Sequence, residues 1–204
     1  MLVVWLSKVI QIPVGGFDSN FSYLVVGKNK KAILIDATGS SQIIDLVIRE
    51  NDLNVVAQLS THSHPDHIEN VKYYESKGIM LKQFGVLSKQ KIVRIAGLNI
   101  KVIPSPGHTK DSVCFLTGTN FFSGDTLFVK GVGNTQYGGN EKKLNKTLEM
   151  FFTLPKDLKL WPGHDYGGAF STLGQALINS HRKPSEKTMK TIHKRVSKYG
   201  NKKS

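Results

Sequence analysis

The chain has 204 residues, enough for one well-packed domain and requiring no second. Its 39% hydrophobic and 21% charged residues exclude a disordered tail and a membrane-embedded protein. The single cysteine, Cys114, excludes an internal disulfide and a thiolate metal site, so any metal must use imidazole and carboxylate, and no oxidising compartment is needed.

The opening Met1-Leu2-Val3-Val4-Trp5-Leu6 is too short to span a bilayer and has no basic stretch before it. We read it as a first strand and expect a cytoplasmic protein with no membrane partner. Asn20 to Gly27 and Ala32 to Ile35, rich in branched and aromatic residues and separated by Lys28-Asn29-Lys30-Lys31, predict a hairpin. A loop over 36–40 follows, and Ile43, Ile44, Val47 and Ile48 then recur at helical spacing. Val55 to Ser60 predicts a short buried strand that runs into His62, and the chain from Asp66 through Val71 to Glu75 is helical again. Strands follow at Ile92 to Ile95, Ile100 to Ile103, Val113 to Thr117 and Phe121 to Ser123, the last two joined by Gly118-Thr119-Asn120. A helix over Leu144 to Phe152 and a strand over Leu158 to Trp161 complete the body. Interspersed strands and helices with hairpins predict α/β layers rather than a purely parallel sheet.

The chemistry concentrates in Thr61-His62-Ser63-His64-Pro65-Asp66-His67, directly after a buried strand. Alternation in an extended turn aims His62 and His64 at one point, while Asp66 and His67 reach a second point nearby. Three further candidates sit beside glycine at strand ends: His108 in Pro106-Gly107-His108-Thr109, Asp125 in Ser123-Gly124-Asp125-Thr126, and His164 in Pro162-Gly163-His164-Asp165. Five of the seven histidines fall in these motifs, leaving only His181 and His193. Such sorting points to a metal centre rather than to scattered core histidines.

These motifs, in this order between Asn20 and Tyr166, resemble the metallo-β-lactamase superfamily, in particular its glyoxalase II and persulfide dioxygenase branch. The resemblance implies a four-layer αβ/βα sandwich with metals at one edge of two facing sheets. It assigns His62, His64 and His108 to a first metal, Asp66, His67 and His164 to a second, and Asp125 to a bridge between them. Asp36 matches a loop aspartate behind the histidine cluster, which either orients ligands or caps the following helix. Imidazole and carboxylate suit zinc, iron or manganese. Two such divalent ions about 3.5–4 Å apart lower the pKa of a shared water from about 15.7 towards about 7. Asp66 and Asp125 then belong to the catalytic machinery, and Tyr166 is placed either to donate to substrate or oxyanion or simply to pack.

Within the superfamily, Asp125 as a bridging carboxylate is similar to the thioesterase and dioxygenase relatives and unlike true β-lactamases. The stretch from His108 to Asp125 is too short for the inserted domain of the nuclease branch. Leu127 to Thr135 resembles the glutathione-contact loop, which makes Lys130, Asn134, Thr135 and Tyr166 substrate-binding candidates, with Asn134 standing where the family carries a basic residue. Fewer than 40 residues follow Gly168, where glutathione-specialised relatives have a longer helical region. The expected activity is therefore hydrolysis of a small-molecule thioester by a two-metal centre, with weak dependence on glutathione. The rival is a persulfide dioxygenase holding a single iron on His62, His108 and Asp125.

The net charge of +13 is uneven. From Arg182 to Lys203 nine basic residues stand against the lone acid Glu186, so this stretch carries +8 and the body only +5 of the total. We expect a catalytic domain over 1–181 and a basic C-terminal helix and tail over 182–204. Met189, Ile192, Val196 and Tyr199 form an apolar stripe at helical spacing, expected to bury against the body or against a second copy of the chain in a homodimer. The charge leaves nucleic acid open as a partner, less favoured than a small molecule.

Overall fold

The computed structural model describes residues 7–15, 18–84 and 89–200, so the strand expected at Met1 to Leu6 lies outside the described residues. Two mixed sheets face each other. The first has the order β1-β2-β3-β4-β5, from β1 (Lys8–Pro13), β2 (Phe21–Val26), β3 (Lys31–Ile35), β4 (Asn54–Leu59) and β5 (Leu81–Lys82). The expected hairpin is β2–β3, antiparallel, closed by one turn of 3-10 helix at Lys28–Lys30 in which Asn29 takes φ 53°. Asparagine tolerates that left-handed conformation better than a branched residue would. Helix α1 (Ser41–Glu50) carries the chain across to β4, which pairs parallel to β3.

The second sheet has the order β11-β10-β9-β8-β7-β6, from β6 (Lys91–Ile95), β7 (Leu98–Pro104), β8 (Val113–Thr117), β9 (Asn120–Gly124), β10 (Lys159–Pro162) and β11 (Ser171–Thr172). Three hairpins build β6 to β9, and helix α4 (Glu141–Phe151) makes the crossover to the parallel strand β10. Strands β7, β9 and β10 consequently run the same way and end at the same edge.

Period-two alternation divides each strand between two interiors. Tyr23, Val25, Ile33, Ile35 and Leu59 face Ile100, Val102, Phe115, Phe122 and Trp161 between the sheets. Leu24, Ala32 and Leu34 pack outward on Ile44 of α1 and on Tyr74 of α3 (Val71–Ser76). Ile103, Cys114, Phe121 and Leu160 pack outward on Leu144, Leu148 and Phe151 of α4 and on Leu173 and Leu177 of α5 (Leu173–Asn179). The result is helix, sheet, sheet, helix, the four-layer αβ/βα sandwich. The sequence reading does not anticipate β5, β11 or α5. The two strands have two residues each, and α5 is a seven-residue helix that includes Gly174, so neither pattern nor propensity marks them.

Helix α6 (Glu186–Gly200) forms where the tail helix is expected. Among the described residues its docking includes polar contacts: Ser185 and Thr188 both bond to Glu149 of α4. Met189 is 38% exposed and Ile192 half-buried, so the described part of the apolar stripe is only partly covered. The side chains of Val196 and Tyr199 lie outside the described residues. Among the described residues no helix is long and apolar enough to cross a membrane.

This packing predicts two unequal effects in calorimetric unfolding. Phe122→Ala, which empties a site between Tyr23 and Trp161, should cost about 3–5 kcal/mol. Truncation after His181 should cost much less, because exposed hydrogen bonds of the kind made to Glu149 are worth about 0.5–1.5 kcal/mol each.

Candidate metal centre

The strand ends deliver the candidates to one edge: His62 after β4, His108 after β7, Asp125 after β9 and His164 after β10. Pro65 starts the short helix α2 (Pro65–Ile68), which turns Asp66 and His67 inward behind His62 and His64. Two glycines permit the crowding. A Cβ on Gly163 would lie 2.1 Å from Asp125 Oδ1 and 2.7 Å from His67 Cε1, and one on Gly133 would lie 1.9 Å from the Asp125 carbonyl oxygen. No other residue fits at either place.

All seven candidates converge. His62, His64 and His108 form one group, Asp66, His67 and His164 a second, and His62, His67 and Asp125 a third, each with its ligand atoms within 4.8 Å of one another. Asp125 reaches both sides: its Oδ1 lies 3.2 Å from His67 Nε2, and its Oδ2 lies 3.1 Å from His164 Nε2 and 3.6 Å from His108 Nε2. Asp66 Oδ2 is 3.5 Å from His164 Nε2.

Outward hydrogen bonds fix the imidazoles. His108 Nδ1 donates to the Asn134 carbonyl at 2.7 Å, His164 Nδ1 to the Asp18 carbonyl at 2.7 Å and His64 Nε2 to the Tyr137 carbonyl at 3.2 Å. His67 Nδ1 faces the Asp36 carboxylate at 3.1 Å. Thr61 Oγ1 donates to Asp36 at 2.8 Å and so accepts from His62 Nδ1 at 3.0 Å. Carbonyls and carboxylates only accept, so each outer nitrogen carries the proton and each inner one presents a lone pair to the centre. His64 Nδ1 and His108 Nε2 are only 3.0 Å apart. Two lone pairs that close repel unless a proton or a metal ion lies between their owners. His62 Nε2 and Asp125 Oδ1 are buried with no hydrogen-bond partner, the signature of atoms reserved for another ligand. The residues present therefore fit a pair of divalent cations.

The electrostatics divide the two groups. Burial, and then the field of His67, hold His62 well below the ordinary imidazole range, and burial likewise lowers His108, so both remain neutral donors. Burial opposes charge on Asp125, but His67 and His164 outweigh it and hold the carboxyl well below its usual range. Burial also opposes charge on His67 and His164, yet Asp125, joined by Asp36 at His67, outweighs it and raises both imidazoles, so a metal ion at this position would displace a proton from them. Cys114, in the core, is pushed up to about 12 by burial and offers no nucleophile.

Of the two readings of Asp36, the structure supports orientation. The side chain bonds to Thr61 and faces His67, whereas α1 is capped by Ser40, whose hydroxyl accepts from the Ile43 N–H. A cavity of about 840 Å³ opens beside the centre, with Asn134 and Tyr166 on its wall. Lys130 lies over Gly167 rather than on the wall, and Thr135 is likewise absent from the wall. Tyr166 lines the cavity, but its hydroxyl donates to Asp18 while its ring stacks on His164, centroids 5.2 Å apart and 7° from parallel. In this position its ring supports His164. The sequence reading missed Asp18, Asn20, Thr61 and Tyr137. Only Thr61 had a signal, its place next to His62, because carbonyl acceptors leave no mark in a sequence.

Residues 15–80 match the family model described as Metallo-beta-lactamase superfamily. A hydroxyacylglutathione hydrolase from Xanthomonas axonopodis pv. citri is 28% identical over 189 residues, 87% of this chain and 71% of that protein. The probable polyketide biosynthesis zinc-dependent hydrolase BaeB of Bacillus velezensis is 29% identical over 167 residues, 73% of this chain and 74% of that one. The crystal structure of ETHE1 from Myxococcus xanthus superposes with a TM-score of 0.76 at 27% identity, covering 96% of this chain and 91% of that one. The chain thus has the metallo-β-lactamase fold with a histidine and aspartate cluster able to bind metal.

Asp36→Asn tests the centre directly. Asp36 adopts φ 53°, which asparagine tolerates, so the fold should persist while the charge behind His67 is lost. Competition with a chelating dye should show metal affinity reduced about 10–100-fold, the usual cost of losing such a support.

Proposed function

We propose that the protein is a two-metal hydrolase acting on small thioesters or related activated esters, with weak dependence on a glutathione portion. The observation that carries this is the position of Asp125 between two ligand groups, each supplied with its own three side chains. Zinc, iron and manganese all suit these donors. When bound, such ions supply Lewis acidity, which makes water acidic near neutral pH and polarises a carbonyl.

The chain's own part is positioning. His62, His64 and His108 would hold one ion, Asp66, His67 and His164 the other, and Asp125 both. Asp66, about 31% exposed and on the cavity wall, has a carboxylate oxygen close to both ligand group and substrate space, which suits it to take up a proton. The wall suits a neutral acyl carrier: beyond the ligand residues its described acids are Asp18 and Glu69, and its described residues include no lysine or arginine. A carrier with free carboxylates, such as glutathione, would find no such cationic side chain on that wall to pair with. The similarity to hydroxyacylglutathione hydrolases and to BaeB supports the hydrolytic class.

A second reading, a mononuclear iron persulfide dioxygenase using His62, His108 and Asp125, draws on the likeness to ETHE1 over nearly the whole chain. Metal analysis of protein purified without added metal separates the two. Two ions per chain with thioester cleavage supports the hydrolase; one iron with oxygen consumption on a persulfide supports the alternative.

Asp125→Ala should abolish thioester turnover, at least 10³-fold, while circular dichroism stays native, and His67→Ala should do the same. A His67→Ala protein with full activity would transfer the assignment to the mononuclear site. Between a glutathione thioester and a truncated neutral thioester, kcat/KM should differ by less than about tenfold, the worth of roughly 1.4 kcal/mol of transition-state binding.

A further inference from the structure

The two ligand groups are supported differently. His62, His64 and His108 are held by Thr61, Tyr137 and Asn134. The second group is tied to the turn before β2. The Asp18 carbonyl accepts from His164 Nδ1 at 2.7 Å, and Asn20 Nδ2 donates to the Asp66 carbonyl at 2.9 Å and to its Oδ2 at 3.3 Å. Asn20 and His164 also pair as an isolated antiparallel bridge, and the Asp165 N–H donates to the Ser19 carbonyl at 3.1 Å. Asn20 is 1% exposed, and its Oδ1 accepts from the Asp18 N–H at 3.3 Å, closing the turn on itself. Ser19 sits at φ 54°, a conformation that needs surrounding contacts to persist. Tyr166 covers the free face of His164 and bonds to the Asp18 carboxylate, and Phe128 meets both rings edge-on.

We propose that Asp18, Asn20 and Tyr166 form a clamp that sets the occupancy of the second cation position, the one made by Asp66, His67 and His164. This rests on the two-metal reading. Asn20 and Tyr166 are positioning residues: Asn20 holds the Asp66 carboxylate towards His164, and Tyr166 keeps the imidazole plane in place. Because no described ligand of the first position hydrogen-bonds to this turn, loosening it acts on one ion and not the other. The clamp is thereby the element that decides whether the centre works with one metal or two.

The test is a stepwise metal titration of the full-length protein, followed by native mass spectrometry and by the absorption of cobalt(II) as the probe ion. Asn20→Ala and Tyr166→Phe should each retain the first cobalt with unchanged affinity and bind the second about 10–100-fold more weakly. General loss of structure would weaken both steps together, so equal weakening overturns the proposal, as does a wild-type second step in both variants. Should Asn20→Ala fail to fold, Tyr166→Phe decides alone, since it deletes only the hydroxyl of a residue 37% exposed. A wild-type protein that never takes a second ion would remove both the two-metal reading and the clamp. Two ions in the wild type with unaltered variants removes the clamp only.

Discussion

Each of the five clustered imidazoles is held through its outer nitrogen by an oxygen acceptor, and most of what the fold does at this edge is to put those five oxygens in place. The acceptors come from loops that follow different strands in two sheets, so no local segment could assemble them. The sandwich, with its parallel strand ends at a common edge, is the frame that brings Asp18, Thr61, Asn134 and Tyr137 within reach of rings delivered by β4, β7 and β10. Fixing the outer proton fixes the inner lone pair, and the convergence of lone pairs is what gives the edge its appetite for cations.

Such a centre is costly to build. Buried donor atoms without protein partners and glycines demanded by close approach both oppose stability at this edge. The opposing weight lies elsewhere, in three apolar interiors where Tyr23, Phe115, Phe122 and Phe151 are fully covered or nearly so. Separation of the two tasks, apolar layers for stability and strand ends for chemistry, is the usual division between a rigid scaffold and the site it carries.

Much of this was legible in the sequence. The seven ligand candidates announced themselves because metal-binding side chains cannot be replaced by backbone, four of them clustered after one apolar run and the other three beside glycines at strand ends. The hairpin β2–β3 and the strands β6 to β9 were legible because branched and aromatic residues are concentrated there. The short pieces β5, β11 and α5 were not, since two residues of strand carry no period and a seven-residue helix containing Gly174 depends on Leu173, Ala176 and Leu177 finding a core. The supporting carbonyls of Asp18, Asn134 and Tyr137 were hidden for a different reason: any residue has a carbonyl. Tyr166 was noticed for its hydroxyl, whereas its ring against His164 matters as much.

Those carbonyls have a further consequence. Asp18, Asn134 and Tyr137 each line the cavity while their main-chain oxygens steady His164, His108 and His64. One residue thus serves two masters through separate atoms, and the side chain can be exchanged while the oxygen stays. Selectivity and ligand alignment are thereby uncoupled at Asn134 and Tyr137, whereas the Asp18 carboxylate stays tied to Tyr166, so new preferences for substrate can evolve at the former two without rebuilding the centre.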